Sequence, residues 1–381
     1  MHFRILLPSI LLLFFLHPAF SQVESVNKSI SEILDKNPVA GLSVAVVKKD
    51  EIIYQNSFGM KDLDKKIPLT DESLFRIASI SKSFTATALM QLVEQNKLSL
   101  QDDVSDLIGF EVRNPKFPDK VITLEMILSH TSSINDSEGY FTLDAIDPSK
   151  NPDWANCYND YEPGKDYQYC NLNFNIAGTI LERISGERFD HYIINHILRP
   201  LNIYGGYNVD ELDQSLFATI YDYQPESSTF SPSPAAYASR KEDVDNYIMG
   251  RSAPIFSPTG GLKISAPGLA RYMAMHMNKG KYDKVRIISR KSEKTMQKSR
   301  SDEANYGLAL QTTTKFIPGV TLVGHTGLAY GLHSAMFFHP KKKYGMVIIS
   351  SGNDPETEDG FVKVIREIAI ALHETLIESQ P

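Results

Sequence analysis

Three short segments of this chain carry side chains that together can do acyl-transfer chemistry: Ser79-Ile-Ser-Lys82, Tyr169-Cys-Asn171 and His325-Thr-Gly327. Ser79 and Lys82 are three residues apart, a spacing that on a helix puts both side chains on one face, one turn apart. A serine hydroxyl is a weak nucleophile until a neighbouring base takes its proton. Lysine serves as that base only where burial or nearby cations lower its pKa. The start of a helix adds positive potential, which favours developing negative charge. The spacing alone is not specific, because Ser25-Val-Asn-Lys28 repeats it without comparable neighbours. Taken singly, Tyr169 and Asn171 also fit an ordinary loop and helix cap, and His325 a satisfied strand histidine. Thr326 and Gly327 fit a strand approached closely by another backbone.

Other catalytic schemes find little in the sequence. Gly41-Leu-Ser-Val-Ala45 comes near a nucleophile elbow but lies within a strand pattern, and there is no zinc-protease helix, phosphate loop or dinucleotide fingerprint. No metal or organic cofactor is implied. The two cysteines, Cys157 and Cys170, have no metal-ligand spacing. In an oxidising compartment they fit a disulfide closing a short loop beside Tyr169; the alternative is a pair of buried free thiols.

The elements that must position these residues are legible in outline. Gly41–Val47 reads as a buried strand and Ile52–Phe58 as its hairpin partner. Apolar periodicity predicts helices over Val23–Lys36, Ser79–Leu98, Leu124–Ser129 and Leu172–Ser185, the last stopped by Gly186. Strands return at Val320–His325, Leu332–His339 and Tyr344–Ser351, and an amphipathic helix spans Gly360–Glu378. Strands at both ends with helices between predict an α/β (α+β) fold. One antiparallel sheet is built from the two termini (about 22–75 and 256–381), flanked by helices, with a mostly helical insertion over about 76–255. A site in the crevice between the two parts is the natural expectation.

The chain has 381 residues, 42% of them hydrophobic and 22% charged, with a net charge of −7. That is an ordinary globular composition, and its basic runs, such as Lys341–Lys343, are too short to suggest nucleic acid as a partner. Residues 1–21 read as an export signal, with an apolar run over Ile5–Leu16 and small residues around Ala19–Ser21. No cysteine near that point offers a lipid anchor, so the mature chain, about 22–381, is expected to be periplasmic or secreted, with no membrane span. Oligomeric state is not readable.

The segments around the three motifs carry a further signal. Phe75-Arg-Ile-Ala-Ser-Ile-Ser-Lys-Ser-Phe-Thr-Ala86, Leu128-Ser-His-Thr-Ser132, Pro163-Gly164 before Tyr169-Cys-Asn171, Gly260-Gly261-Leu-Lys-Ile-Ser265 and His325-Thr-Gly327 follow one another in order. Together they resemble the serine β-lactamase and penicillin-binding-protein superfamily, in its class C-like branch, over nearly the whole mature chain. The resemblance implies a β-lactamase/transpeptidase-like fold, with Ser79 as acylated nucleophile, Lys82 as its proton acceptor and Tyr169 as a second general base. On that reading Asn171 orients Lys82 and the substrate. The backbone N–H groups of Ser79 and Leu328 form an oxyanion hole, and His325 and Thr326 contact substrate beside Gly327. A free tyrosine titrates near pH 10, so a phenolate at Tyr169 needs the Lys82 ammonium beside it. His130 is implied to support the site rather than to react.

Two departures from the family pattern bear on substrate. His325 stands where β-lactamases of this type usually carry lysine, and a neutral histidine anchors a carboxylate less well. Ser133 stands where glycine is frequent. The expected activity is therefore an exported serine hydrolase acting on a D-amino-acid-containing peptide or a small ester. A class C-like β-lactamase and a penicillin-binding sensor that stays acylated are the alternatives. The loops over 137–168 and 205–255 are expected to decide how the far end of the substrate is held. The aromatic stretch Tyr140–Tyr169, with Trp154 in it, is expected either to set selectivity or to pack under a long loop.

Overall fold

The computed structural model of the protein describes residues 17–301 and 303–378, with side chains from residue 22 onward. Helix α1 (His17–Leu34) leads into a hairpin of β1 (Gly41–Lys48) and β2 (Glu51–Asp62), edged by β3 (Ile67–Pro68). The middle contributes α2 (Ser81–Glu94), α3 (Asn171–Ser185) and α4 (Ala266–Met277). The chain then returns through β4 (Gln311–Thr313), β5 (Leu322–Ala329), β6 (Leu332–Phe338), β7 (Tyr344–Ser351) and α5 (Lys363–His373). Of the expected export signal, residues 1–16 lie outside the described residues, and the backbone of 17–21 continues α1. Among the described residues no helix is long and apolar enough to cross a membrane.

The main sheet has seven strands in the order β4-β5-β6-β7-β1-β2-β3, each neighbouring pair running antiparallel. The central pair joins the two ends of the chain, with Gly41 opposite Ser351 and Lys48 opposite Tyr344. Its strands are apolar at nearly every position because both faces are covered. Leu42, Val44, Val46, Met346 and Ile348 point toward α1 and α5, where Val26, Ile30, Ile365, Ile368 and Leu372 complete one core. Ala45, Val47, Val347 and Ile349 point the other way, into a larger core that includes α2, α3 and α4. The period-2 alternation thus sorts each strand between two cores.

The middle of the chain is less purely helical than its sequence suggests. Phe75–Arg76, Gly205–Gly206 and Lys263–Ile264 form a small sheet of their own, and Tyr221–Gln224 pairs with Thr229–Pro232. The first of these matters for function, since Phe75–Arg76 runs directly into the turn that carries Ser79.

The two cysteines are buried and unpaired, which overturns the disulfide alternative. Cys157 Sγ donates to the Ala145 carbonyl at 3.3 Å and Cys170 Sγ to Asp136 Oδ1 at 3.2 Å. Each thiol has its own acceptor, and burial pushes both thiol pKa values up, Cys157 to about 11. Unreduced protein is therefore expected to release two thiols to an aromatic disulfide reagent on denaturation and almost none when folded, with a Tm indifferent to reductant. A single melting shift on reduction would contradict this.

Candidate active site

Ser79 does not sit inside the long helix expected over Ser79–Leu98. It occupies a 3-10 turn, Ala78–Ile80, placed just before α2. Ala78 has a positive φ of 49°, a conformation that costs a non-glycine residue free energy and that recurs at functional turns. The turn is pinned by Ser81, whose Oγ donates to the Ala78 carbonyl at 2.7 Å and accepts from Leu262 N at 3.2 Å. Lys82 follows on the first turn of α2, its side chain fully buried.

The ammonium of Lys82 meets three oxygens. Nζ lies 3.1 Å from Ser79 Oγ, 2.9 Å from Asn171 Oδ1 and 2.9 Å from the Thr259 carbonyl. Three acceptors match the three protons of an ammonium. No carboxylate touches it, and burial lowers its pKa from 10.5 to about 7, a drop that Asp136 resists and Arg76 assists. Lys82 is thus a group that can give up its proton near neutrality.

Asn171 is the first residue of α3, and its amide is fixed on both sides. Oδ1 accepts from Lys82 and from Thr259 Oγ1 at 2.9 Å, while Nδ2 donates to Asp136 Oδ2 at 2.9 Å. Asp136 also accepts from the backbone N–H groups of Asn171 and Leu172, each at 2.9 Å. It therefore caps α3 from 35 residues upstream, where the preceding Cys170 makes no side-chain cap. Neither Asp136 nor Thr259 had a signal in the sequence: a lone aspartate in a loop and a threonine before Gly260 have no telling spacing.

Tyr169 is buried at the same point. Its phenol is hydrogen-bonded to Ser79, and its ring centroid lies 4.7 Å from Lys82 Nζ. Burial raises its pKa well above the ordinary tyrosine value, against the opposing pull of the Ser79 bond. The resting group is the phenol, not a phenolate, because burial disfavours the charged form more than the Ser79 bond favours it. His130 packs its ring against Tyr169 with centroids 4.3 Å apart and accepts from Cys170 N at 3.1 Å through Nδ1. It holds the Tyr169 segment in place, the supporting part expected of it.

The third motif lies on β5. Gly327 abuts the Ser79 turn so closely that a Cβ there would stand 2.3 Å from the Ile77 carbonyl. This is the close backbone approach anticipated for it, and it brings Leu328 beside Ser79 on the wall of one cavity of about 680 Å³. Strand β4 pairs only with residues 322–324 of β5, so the stretch carrying the third motif is open on that side. His325, Thr326, Asn171 and Tyr169 line the same cavity. Lys82 lies behind Ser79 and Gly327 beneath it; all eight expected site residues therefore come together.

His325 is not free to act on a ligand. Its Nε2 is 2.9 Å from Tyr306 Oη and its Nδ1 2.5 Å from the Thr326 carbonyl. Burial first, and the Lys82 charge second, lower its pKa to about 4, so the ring is neutral at pH 7. A neutral ring bonded to a carbonyl carries its proton on Nδ1 and accepts the tyrosine proton on Nε2. Tyr306, 19 residues away on no recognisable motif, was not anticipated.

Of the aromatic stretch, Tyr140, Phe141, Tyr167 and Tyr169 line the cavity, whereas Trp154 packs edge-on against Tyr158 and does not. No residue of 205–255 lines it; Ser257 is the nearest. Among the described residues, one grouping, Asp190, His191 and Glu211, is close enough to share a metal. Arg188 already pairs with both carboxylates, at 2.6 and 2.7 Å, which explains the cluster without an ion.

Comparison with known proteins bears on the family and the fold. The chain is 23% identical to protein flp of Staphylococcus aureus (strain N315) over 350 residues, 87% of this chain and 63% of that protein. It thus spans less than two thirds of this relative's length. The solved octameric penicillin-binding protein homologue from Pyrococcus abyssi superposes with a TM-score of 0.70 at 25% identity, over 92% of this chain and 77% of the other. The D-amino acid amidase from Ochrobactrum anthropi SV3 shares the fold, with a TM-score of 0.72 at 19% identity over 95% and 100% of the two chains. The Beta-lactamase family pattern matches residues 26–369, a span that takes in all three motifs and both ends of the main sheet, and the chain belongs to that family.

Proposed function

We propose that the protein is an exported serine hydrolase that cleaves an amide or ester through an acyl-enzyme on Ser79. The observation that carries this reading is the buried Lys82 ammonium, 3.1 Å from Ser79 Oγ, with its pKa brought down to about 7. In its neutral form Lys82 takes the Ser79 proton as Oγ bonds to the substrate carbonyl carbon. The oxyanion that results accepts from the backbone N–H groups of Ser79 and Leu328. Collapse breaks the bond to the leaving group, which takes the phenolic proton of Tyr169, and Lys82 restores that proton. Water then attacks the acyl-enzyme with the same groups acting in reverse.

The substrate class we favour is a peptide containing a D-amino acid or a small ester. The state of His325, neutral and with both nitrogens engaged, speaks for this over efficient β-lactam turnover. Intact-protein mass spectrometry with a penicillin, beside Ser79→Ala, tests the scheme. A stoichiometric, slowly lost adduct on the wild type alone is expected. An adduct on both proteins would remove Ser79 from its role, and rapid release with drug hydrolysis would favour the β-lactamase alternative.

A further inference from the structure

Of the residues lining the catalytic cavity, Arg76 alone carries a formal charge at neutral pH, and no aspartate or glutamate faces it there. Its Nε donates to the Gly260 carbonyl at 2.8 Å and Nη2 makes a long bond to Ser257 Oγ at 3.4 Å. Among the described residues no carboxylate pairs with it. A guanidinium has five donors in a planar fork, so most of this one's capacity is unspent. A half-buried cation without a counter-charge is costly, and a carboxylate that meets it bidentately offsets that cost.

A second observation concerns Tyr330. It and Gly331 are the two residues of the turn between β5 and β6, with φ of +58° and +82°. Such turns favour Asn-Gly, and a bulky residue in the first place is strained. The Tyr330 ring lies over Arg76, with the guanidinium carbon 4.9 Å from the ring centroid. Strain retained where a side chain grips another at a cavity mouth points to ligand binding.

The position of this pair fixes which part of a ligand it meets. On β5 come His325, with Tyr169 and Tyr306 around it, and then Gly327 against the Ser79 turn; Tyr330 follows in the turn after the strand, over Arg76. Tyr169 serves the leaving group, so Arg76 lies on the opposite, acyl side of Ser79.

We infer that Arg76, held by Gly260 and Tyr330, anchors a free carboxylate on the acyl half of the substrate. The favoured substrates are then esters or amides of acids that bear a second carboxylate. One guanidinium with no other cation on the wall suits a monoanion rather than a phosphate. The exposed apolar side chains of Phe141 and Leu328, also on this wall, suit the carbon chain between the two carboxyl carbons. This inference rests on the serine hydrolase reading.

The test uses 4-nitrophenyl monoesters of adipic and pimelic acid, each beside its neutral, methyl-capped counterpart, with release of nitrophenol as the signal. On the wild type, kcat/KM is expected to be at least tenfold higher for one or both anionic esters, and 0.5 M salt is expected to narrow the gap. Arg76→Gln should collapse the ratio at least tenfold and Arg76→Lys only in part. A wild type with no preference for the anionic esters would overturn the inference whatever the variants do. So would proportionate losses on charged and neutral esters in Arg76→Gln, which would mark a purely structural bond to Gly260. Unchanged turnover of all four esters by Ser79→Ala would instead sink the hydrolase reading beneath it.

Discussion

Lys82→Arg is expected to abolish acylation of Ser79, lowering kcat/KM on the order of a thousandfold, the scale of a lost general base. Arginine keeps a positive charge near Asn171 and the Thr259 carbonyl, but it cannot release its proton. The wild type should show kcat/KM rising with pH as Lys82 deprotonates, through an apparent pKa of about 7. The direction follows from the active form being the neutral amine. The same shift affects stability with a definite sign. The unfolded chain holds the lysine proton up to its ordinary value of 10.5, the folded chain only to about 7. Between those values the unfolded state binds more protons, so stability rises with pH. Denaturant midpoints at pH 7 and 9 for wild type and Lys82→Met check this, the variant losing that part of the slope. Near-normal acylation by Lys82→Arg would exclude Lys82 as the base.

The second large effect is expected at Asp136. Its carboxylate accepts from Asn171 N, Asn171 Nδ2, Leu172 N and Cys170 Sγ, so Asp136→Ala strips α3 of its cap and Asn171 of its anchor. A loss of about 2–4 kcal/mol of stability is expected from charge-assisted and capping bonds together. At temperatures where the variant is still folded, kcat should fall on the order of a hundredfold, because an unanchored Asn171 no longer holds Lys82 against Ser79. Asp136 also raises the Lys82 pKa, so its removal should shift the acid limb of the pH profile to lower pH. Asp136→Asn keeps one acceptor oxygen and should retain part of the cap while showing the same shift. A destabilised variant with an unmoved pH profile would reduce Asp136 to a purely structural part.

The centre of the sheet was legible because its strands are buried on both faces. Gly41–Lys48 and Tyr344–Ser351 are apolar runs too short for helices, and the observed ends fall within a residue of the expected ones. The helix expected to begin at Ser79 instead follows a strained turn, since Ala78 at positive φ has no signature in residue type. Ser133 is more telling. Its φ of 63° explains why glycine is frequent there, and its hydroxyl, 3.0 Å from Asn114 Nδ2, offsets the strain by a bond that glycine lacks. The reacting groups could be read from motifs because their roles demand particular atoms at fixed spacing. The residues that set their behaviour, Asp136, Thr259 and Tyr306, come from distant loops and are defined only by where the fold delivers them. Protonation states were less legible: the Tyr169 phenol depends on burial, which no spacing encodes, whereas the neutral His325 was expected and burial reinforces it.

The pairing of Gly41 with Ser351 bears on when in its lifetime the molecule becomes competent. Ser79 is synthesised early, yet β5 with Leu328 comes some 250 residues later, and β5 reaches the central pair of the sheet through β6 and β7. Contacts so distant along the chain are slow to form. A growing polypeptide therefore carries Ser79 and Lys82 before β5, the strand that brings Leu328 beside Ser79, has been made. On the proposed reading, the Ser79 site is complete only once these last strands have joined the sheet.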